Sequence, residues 1–188
     1  MSLLNLLNKN PKISIITVSF NSDITIRDTI ESIINQDYNN IEYIIIDAGS
    51  KDDTLDIIEE YEEHVSYFNS EPDKGIYDGM NKGITAATGD IIGILNSDDF
   101  YPNSFVVTNV ASTFEKQGCD AVYGDLVYVK FFDIDKIIRY WQSGEYTVYK
   151  IKNGWMLPHP TFFVKKHLYD KHGYYNTDLK TAADYEMI

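Results

Sequence analysis

Residues 76–99, IYDGMNKGITAATGDIIGILNSDD, hold a helical segment, a turn, an apolar strand and a polar end in direct succession. Gly75, Gly79, Gly83 and Ala87 stand four apart, so at 3.6 residues per turn they line one helix face. Close packing against a sheet suits Gly83 and Ala87, while Gly75, at the helix entrance, lets backbone approach a ligand. Ile91 to Leu95 then read as a buried strand, and Asp98 and Asp99 follow without a pause. Two adjacent carboxylates at a strand end either cap the next helix or await a cation. Pro102 and Asn103 stand nearer the next helix start and serve there instead, which favours the cation.

The same alternation extends outward from this stretch. KISIITVSF (12–20) is a continuous apolar run suited to a strand covered on both faces. Ile26, Ile30, Ile33 and Ile34 then fall at helical spacing in 22–36, and IEYIIID (41–47) is a second buried strand. Residues 50–64 form an amphipathic helix with a capping-box pattern at Ser50 and Asp53, and VSYFNS (65–70) is a third strand. Beyond the fourth strand, 103–118 is a helix closed by Gly118. Strand alternating with helix predicts βαβ units and an α/β fold, a three-layer α/β/α sandwich around a mostly parallel sheet. Residues 119–142 and 145–166 are richer in Tyr, Phe and Val and read as longer, partly exposed strands. No Pro/Gly/Ser-rich linker divides the chain, so 11–188 reads as one domain after a short N-terminal arm at 1–10. The helical pattern beginning at TAADYEMI (181–188) stops early, which leads us to expect a longer natural C-terminal region.

Composition narrows the function. The chain has 188 residues, 44% hydrophobic, enough to bury a core, and no stretch near the ~20 apolar residues of a membrane span. Its single cysteine, Cys119, excludes an internal disulfide framework and fits a reducing, cytoplasmic compartment; it reads as a small packed hydrophobe. The net charge of −13 excludes nucleic acid as a partner, and implies that a phosphorylated ligand needs a bridging metal cation.

In an open parallel α/β sheet, ligands bind outside the carboxyl ends of the strands. Four loops qualify: 20–23, 47–53, 69–75 and 96–103, all polar and all carrying carboxylates. Neither G-x-G-x-x-G after the first strand nor G-x-x-x-x-G-K-[ST] occurs, so glycine-rich phosphate cradles are absent. Carboxylate oxygens then point to Mg²⁺ or Mn²⁺.

PKISIITVSFN (11–21), IEYIIIDAGSKDDT (41–54), SEPDKGIYDGMNKGITAATGDIIGILNSDD (70–99), HPTFF (159–163) and LKTAADYEM (179–187), in this order, resemble a family 2 glycosyltransferase with the GT-A fold. The resemblance spans about residues 11 to 187. It implies a nucleotide-binding half over about 11–100 and an acceptor half over about 101–188. It also implies transfer of a sugar from a nucleotide-diphosphate donor to an acceptor hydroxyl, with inversion and a divalent metal. The acceptor would be a saccharide or lipid-linked saccharide of a bacterial cell surface, with the enzyme peripheral at the inner face of the membrane. By this resemblance Val18, Ser19, Phe20 and Asp47 contact the nucleotide base. An imide N–H donating to Asp47 favours UDP- or GDP-sugars. Ala48 stands where a second aspartate is usual. Gly75, Asn81 and Lys82, with Lys74 and Tyr77, touch donor sugar or phosphate. The D-x-D signature falls on Asn96, Ser97 and Asp98, so Asp98 is the principal metal ligand, Asp99 its helper, and Asn96 replaces the first carboxylate. Asp184 matches the catalytic base, and His159, held between Pro158 and Pro160, lies near the acceptor or diphosphate.

Two rivals are weighed against this. A sugar-phosphate nucleotidyltransferase needs a glycine- and arginine-rich loop after the first strand, and FNSDIT (20–25) is not one. A sugar-nucleotide-binding fragment without activity would lack the remainder of the acceptor half.

Overall fold

The computed structural model describes residues 10–187. The expected arm at 1–10 therefore lies, except for Asn10, outside the described residues. The central sheet has six strands in the order β3-β2-β1-β4-β8-β5. These are β1 (Ile13–Ser19), β2 (Ile41–Asp47), β3 (Tyr67–Ser70), β4 (Ile91–Ile94), β5 (Ala121–Val122) and β8 (Phe163–Lys165). β1 to β4 are mutually parallel, and β8 runs antiparallel to β4 and β5.

Every residue of β1 is buried, because alternate side chains serve two separate cores. Ile13 and Ile15 join Tyr43, Ile45 and Ile91 on one face. Against that face pack α1 (Ile26–Ile34), α2 (Thr54–Glu59) and α4 (Val106–Gln117). Ile16 and Val18 join Ile44, Ile46, Ile92 and Ile94 on the other, under α3 (Ile76–Ala86), α6 (Lys166–His172) and α7 (Ala183–Met187). The three-layer sandwich is as expected.

Small residues set the spacing on the α3 side. A Cβ at Gly83 would lie 2.3 Å from Ile16 Cγ2, and one at Gly79 3.2 Å from Val18 Cγ1. Gly75, the residue before α3, has φ 121° and open space around it. In β4, a Cβ at Gly93 would lie 2.4 Å from the Phe163 ring.

Two local expectations change. The Ser50–Asp53 capping box does not form: the Ser50 hydroxyl bonds to Asp47, and Asp52 rather than Asp53 accepts the Thr54 N–H. Residues 145–152 are not a strand. Val148–Lys152 is a short helix, α5, started by the Thr147 hydroxyl, which accepts from Lys150 N. The longer, partly exposed strands expected within 119–142 are β6 (Leu126–Lys130) and β7 (Asp133–Trp141), which form an antiparallel hairpin separate from the central sheet. The helix after residue 103 begins with Asn103 accepting Phe105 N, so neither Asp98 nor Asp99 is its cap.

At the amino end of the sheet, buried Glu42 gathers the Lys12 ammonium (2.6 Å), the Ser14 hydroxyl and the Thr88 hydroxyl and N–H. Burial alone would raise its pKa; these donors outweigh it and bring the group down from 4.5 to about 2. A depressed carboxylate stabilises the fold above its unfolded value and loses that contribution as pH falls from 4.5 through about 2. Urea unfolding of Glu42→Gln should show a loss of about 2 kcal/mol at pH 7 that shrinks toward pH 3. Gly83→Ala should also lose about 1–2 kcal/mol, because the clash with Ile16 exceeds the gain in helix propensity.

Candidate functional site

Strand order 3-2-1-4 means that the chain leaves β1 in one direction and returns to β4 in the other. The crevice at this switch lies beyond the carboxyl ends of β1 and β4, where an open α/β sheet takes its ligand. The two ends are tied together. Ser97 N donates to Val18 O at 3.3 Å, and the Ser22 and Ser97 hydroxyls lie 2.7 Å apart. Phe20, the first residue after β1, leaves its ring 60% exposed. The Val18 side chain is buried and packs under Gly79, so Phe20 is the exposed side chain at this end of β1.

Asp47 departs further from expectation. It has no exposed surface, and its carboxylate accepts from five donors: the hydroxyls of Ser19 (3.1 Å), Ser50 and Ser70 (2.6 Å), and the N–H groups of Gly49 and Ser50, both at 2.9 Å. Burial alone would raise its pKa, but these donors hold it below the ordinary carboxylate value. A carboxylate has about four lone-pair sites, so none is left for a base N–H. Asp47 instead fastens the ends of β1, β2 and β3 to one another.

At the end of β4, Asp98 is exposed and Asp99 is largely withdrawn. Burial, then the Asp98 charge, pushes the Asp99 carboxyl up to about 6, with the nearby Asn96 amide countering part of this. Asn96 Oδ1 is buried with no hydrogen-bond partner. No group of three His, Cys, Asp or Glu side chains among the described residues could hold a metal by itself. Asp98 with the unpartnered Asn96 oxygen fits a hard cation that takes its other ligands from phosphate and water.

On the α3 side, Tyr77 donates to Asp184 Oδ1 at 3.1 Å and stacks on Tyr175 with ring centroids 5.7 Å apart. The Tyr175 hydroxyl lies 2.8 Å from His159 Nε2. Burial lowers the His159 pKa despite the Asp184 charge that raises it, which favours the neutral imidazole bonded to Tyr175. Ala182, just before α7, takes φ 66°, a left-handed conformation rare for alanine, and the chain turns there to present Asp184.

Two expected ligand contacts belong to this scaffold. Asn81 Nδ2 donates to Tyr175 O at 2.8 Å, and its Oδ1 accepts Tyr175 N at 2.9 Å. Both ends of the amide hold the Tyr175 backbone. Lys82 pairs with Glu71 at 3.0 Å and Asp78 at 3.5 Å beside a groove on the outer flank of α3. Tyr175 itself was not anticipated: a tyrosine in HGYYNTD (172–178) has no sequence signal that separates a site residue from a core one.

Comparison with known proteins places the chain in a family. The family model described as glycosyl transferase family 2 matches residues 14–173. An uncharacterized glycosyltransferase of Mycobacterium tuberculosis is 33% identical over 186 residues, covering 95% of this chain and 68% of that protein. A PGL/p-HBAD biosynthesis glycosyltransferase of Mycobacterium bovis is 26% identical over 181 residues, covering 94% of this chain and 68% of that protein. Among solved structures, S. aureus TarS 1–349 in complex with UDP superposes with TM-score 0.76 at 21% identity, covering 94% of this chain and 53% of that one. The mannosyltransferase PcManGT from Pyrobaculum calidifontis, in complex with GDP-Man and Mn²⁺, gives TM-score 0.71 at 18% identity, covering 94% and 50%. The chain thus spans about half the length of these two structures, and shares their GT-A fold. By its sequence and its architecture, this chain belongs to glycosyl transferase family 2.

Proposed function

We propose that this chain transfers a sugar from a nucleotide-diphosphate donor to an acceptor hydroxyl with inversion at the anomeric carbon. The observation that carries this is the presence of two carboxylates on separate elements: Asp98 at the carboxyl end of β4, and Asp184 on α7, held by Tyr77 from α3. The nucleotide lies across the β1–β4 crevice, with its base against the exposed Phe20 ring and the loop fastened by Asp47. Ser97, bonded to Ser22, keeps the two crevice walls together. Gly75 gives the donor access to the start of α3.

Asp98 and Asn96 would hold Mn²⁺ or Mg²⁺, which supplies charge neutralisation to the departing diphosphate. Asp184 accepts the proton of the acceptor hydroxyl as that oxygen bonds to the anomeric carbon; the bond to the diphosphate oxygen breaks on the opposite face. Tyr77 fixes the orientation of Asp184. His159, neutral and bonded to Tyr175, borders the acceptor or the diphosphate. The solved relatives bound to UDP and GDP-Man favour a uridine or guanosine donor. The mycobacterial relative named for PGL/p-HBAD biosynthesis favours a cell-envelope acceptor.

Thermal-shift measurements with UDP, GDP and dTDP-sugars, with and without Mn²⁺, test the donor half directly. Stabilisation by one nucleotide class that requires the metal is expected; no shift with any of them would overturn the proposal. Asp98→Ala should abolish the metal-dependent shift. Asp184→Ala should keep the shift and lower transfer by about 10²-fold or more. Asp47→Asn loses one charged acceptor among five donors and should cost about 2–3 kcal/mol in urea unfolding, with weaker nucleotide binding as a consequence.

A further inference from the structure

Of the 19 large hydrophobic side chains exposed among the described residues, ten lie between residues 126 and 155, so the apolar surface is gathered on one appendage. Its densest part is the β6–β7 hairpin. At the turn Phe131 is 57% exposed and Phe132 86%, with their rings edge to face at 4.7 Å. Ile134, Ile137, Ile138 and Tyr140 continue the exposure along β7. β6 and β7 pair with each other and neither joins the six-stranded sheet. A lone two-stranded hairpin is marginal in water, and an apolar patch of this extent marks an interaction surface.

Charge selects the partner. Residues 126–155 carry five lysines and arginines against three carboxylates, whereas the whole chain has 16 against 29. The cationic excess and the apolar excess therefore coincide on one segment of an acidic protein. Asp133 stands opposite Lys130 in register and offsets it, which leaves Lys136, Arg139, Lys150 and Lys152 against Asp135 and Glu145, a net excess of two cations. Arg139 lies over the Tyr128 and Trp141 rings, at 5.4 and 5.5 Å from their centroids. A second copy of this chain would bring two bodies of charge −13 together. An anionic lipid surface matches both features, since aromatic and aliphatic side chains enter the headgroup boundary while cations remain at the phosphates.

We propose that the β6–β7 hairpin docks the protein on the surface of an anionic bilayer. The root of the hairpin is bonded to the acceptor half. Gly124 N donates to Thr161 Oγ1 at 3.1 Å, next to His159, and the Tyr185 hydroxyl of α7 donates to Ile151 O in α5. Docking therefore carries His159 and Asp184 to the membrane and suits an acceptor anchored in it. That consequence for the acceptor rests on the proposed transfer reaction; the docking does not.

Cosedimentation with vesicles of phosphatidylcholine, with and without roughly one third phosphatidylglycerol, tests it. Binding to the anionic vesicles that weakens with salt is expected. Phe131→Ser with Phe132→Ser should weaken it by about tenfold or more, and Lys136→Gln with Arg139→Gln by roughly fivefold per cation removed. Both double variants should keep the wild-type melting temperature and nucleotide-induced shift, which separates lost docking from misfolding. Wild-type protein left in the supernatant with anionic vesicles would overturn the proposal, as would undiminished binding by the phenylalanine variant. A dimer seen by light scattering without vesicle binding would also overturn it and give the hairpin to a second copy. If no nucleotide stabilises the protein but vesicles still bind it, the transfer reaction falls and the docking surface stands.

Discussion

A carboxylate deprived of water has to find its donors inside the protein, and Asp47 finds five of them. They come from the ends of three strands, so one buried charge fixes how the loops after β1, β2 and β3 sit relative to each other. The second link is made by Ser22 and Ser97, which join the β1 loop to the β4 loop. With both in place, the crevice at the strand-order switch has walls that do not slide. Removing the carboxylate would strand hydroxyl and amide donors in a dry site, where each unpaired group costs about 1–3 kcal/mol.

The other wall depends on how near α3 can come to the sheet. Glycine at 83 lets the helix backbone rest on Ile16, where a Cβ would clash, and glycine at 79 eases its approach to Val18. From that depth Asn81 clamps the Tyr175 backbone at both amide ends, and Tyr77 reaches Asp184. The small residues thus set the position of the proposed base from the opposite side of the sequence, more than a hundred residues away. Their role is structural, yet the site inherits its geometry from them.

The βαβ half was legible because runs such as ISIITVS are buried on both faces, a pattern that suits few arrangements other than a covered parallel strand. The loops at the strand ends followed from topology alone. Less legible was which of their side chains remain free. Asp47 is satisfied by Ser19 and Ser70, 28 and 23 residues away, and Asn81 by Tyr175, 94 away; local sequence contains no trace of these partners. Glu42 shares IEYIIID with Asp47, and its partners Lys12 and Thr88 lie 30 and 46 residues away. In the second half, EYTVYKIK (145–152) alternates like a strand, and the Thr147 cap and the chain's return toward Trp155 decide for a helix. The hairpin was readable as strands, whereas its separation from the sheet is tertiary.

The asparagine at 96 now has a physical context. Asp98 and Asp99 already sit side by side in a chain of net charge −13, and Asp99 is driven up to about 6 by burial and then by its neighbour. A third carboxylate at 96 would add like charge to a strand end that no lysine or arginine among the described residues is bonded to offset. An amide keeps an oxygen for a cation and supplies the N–H side that eases Asp99. If Asp98 holds a metal as proposed, the cost would be a weaker hold on it in the free protein, with the phosphates of the donor completing the site. On the proposed metal role, metal and nucleotide would bind together, and that coupling would follow from the exchange of one carboxylate for one amide.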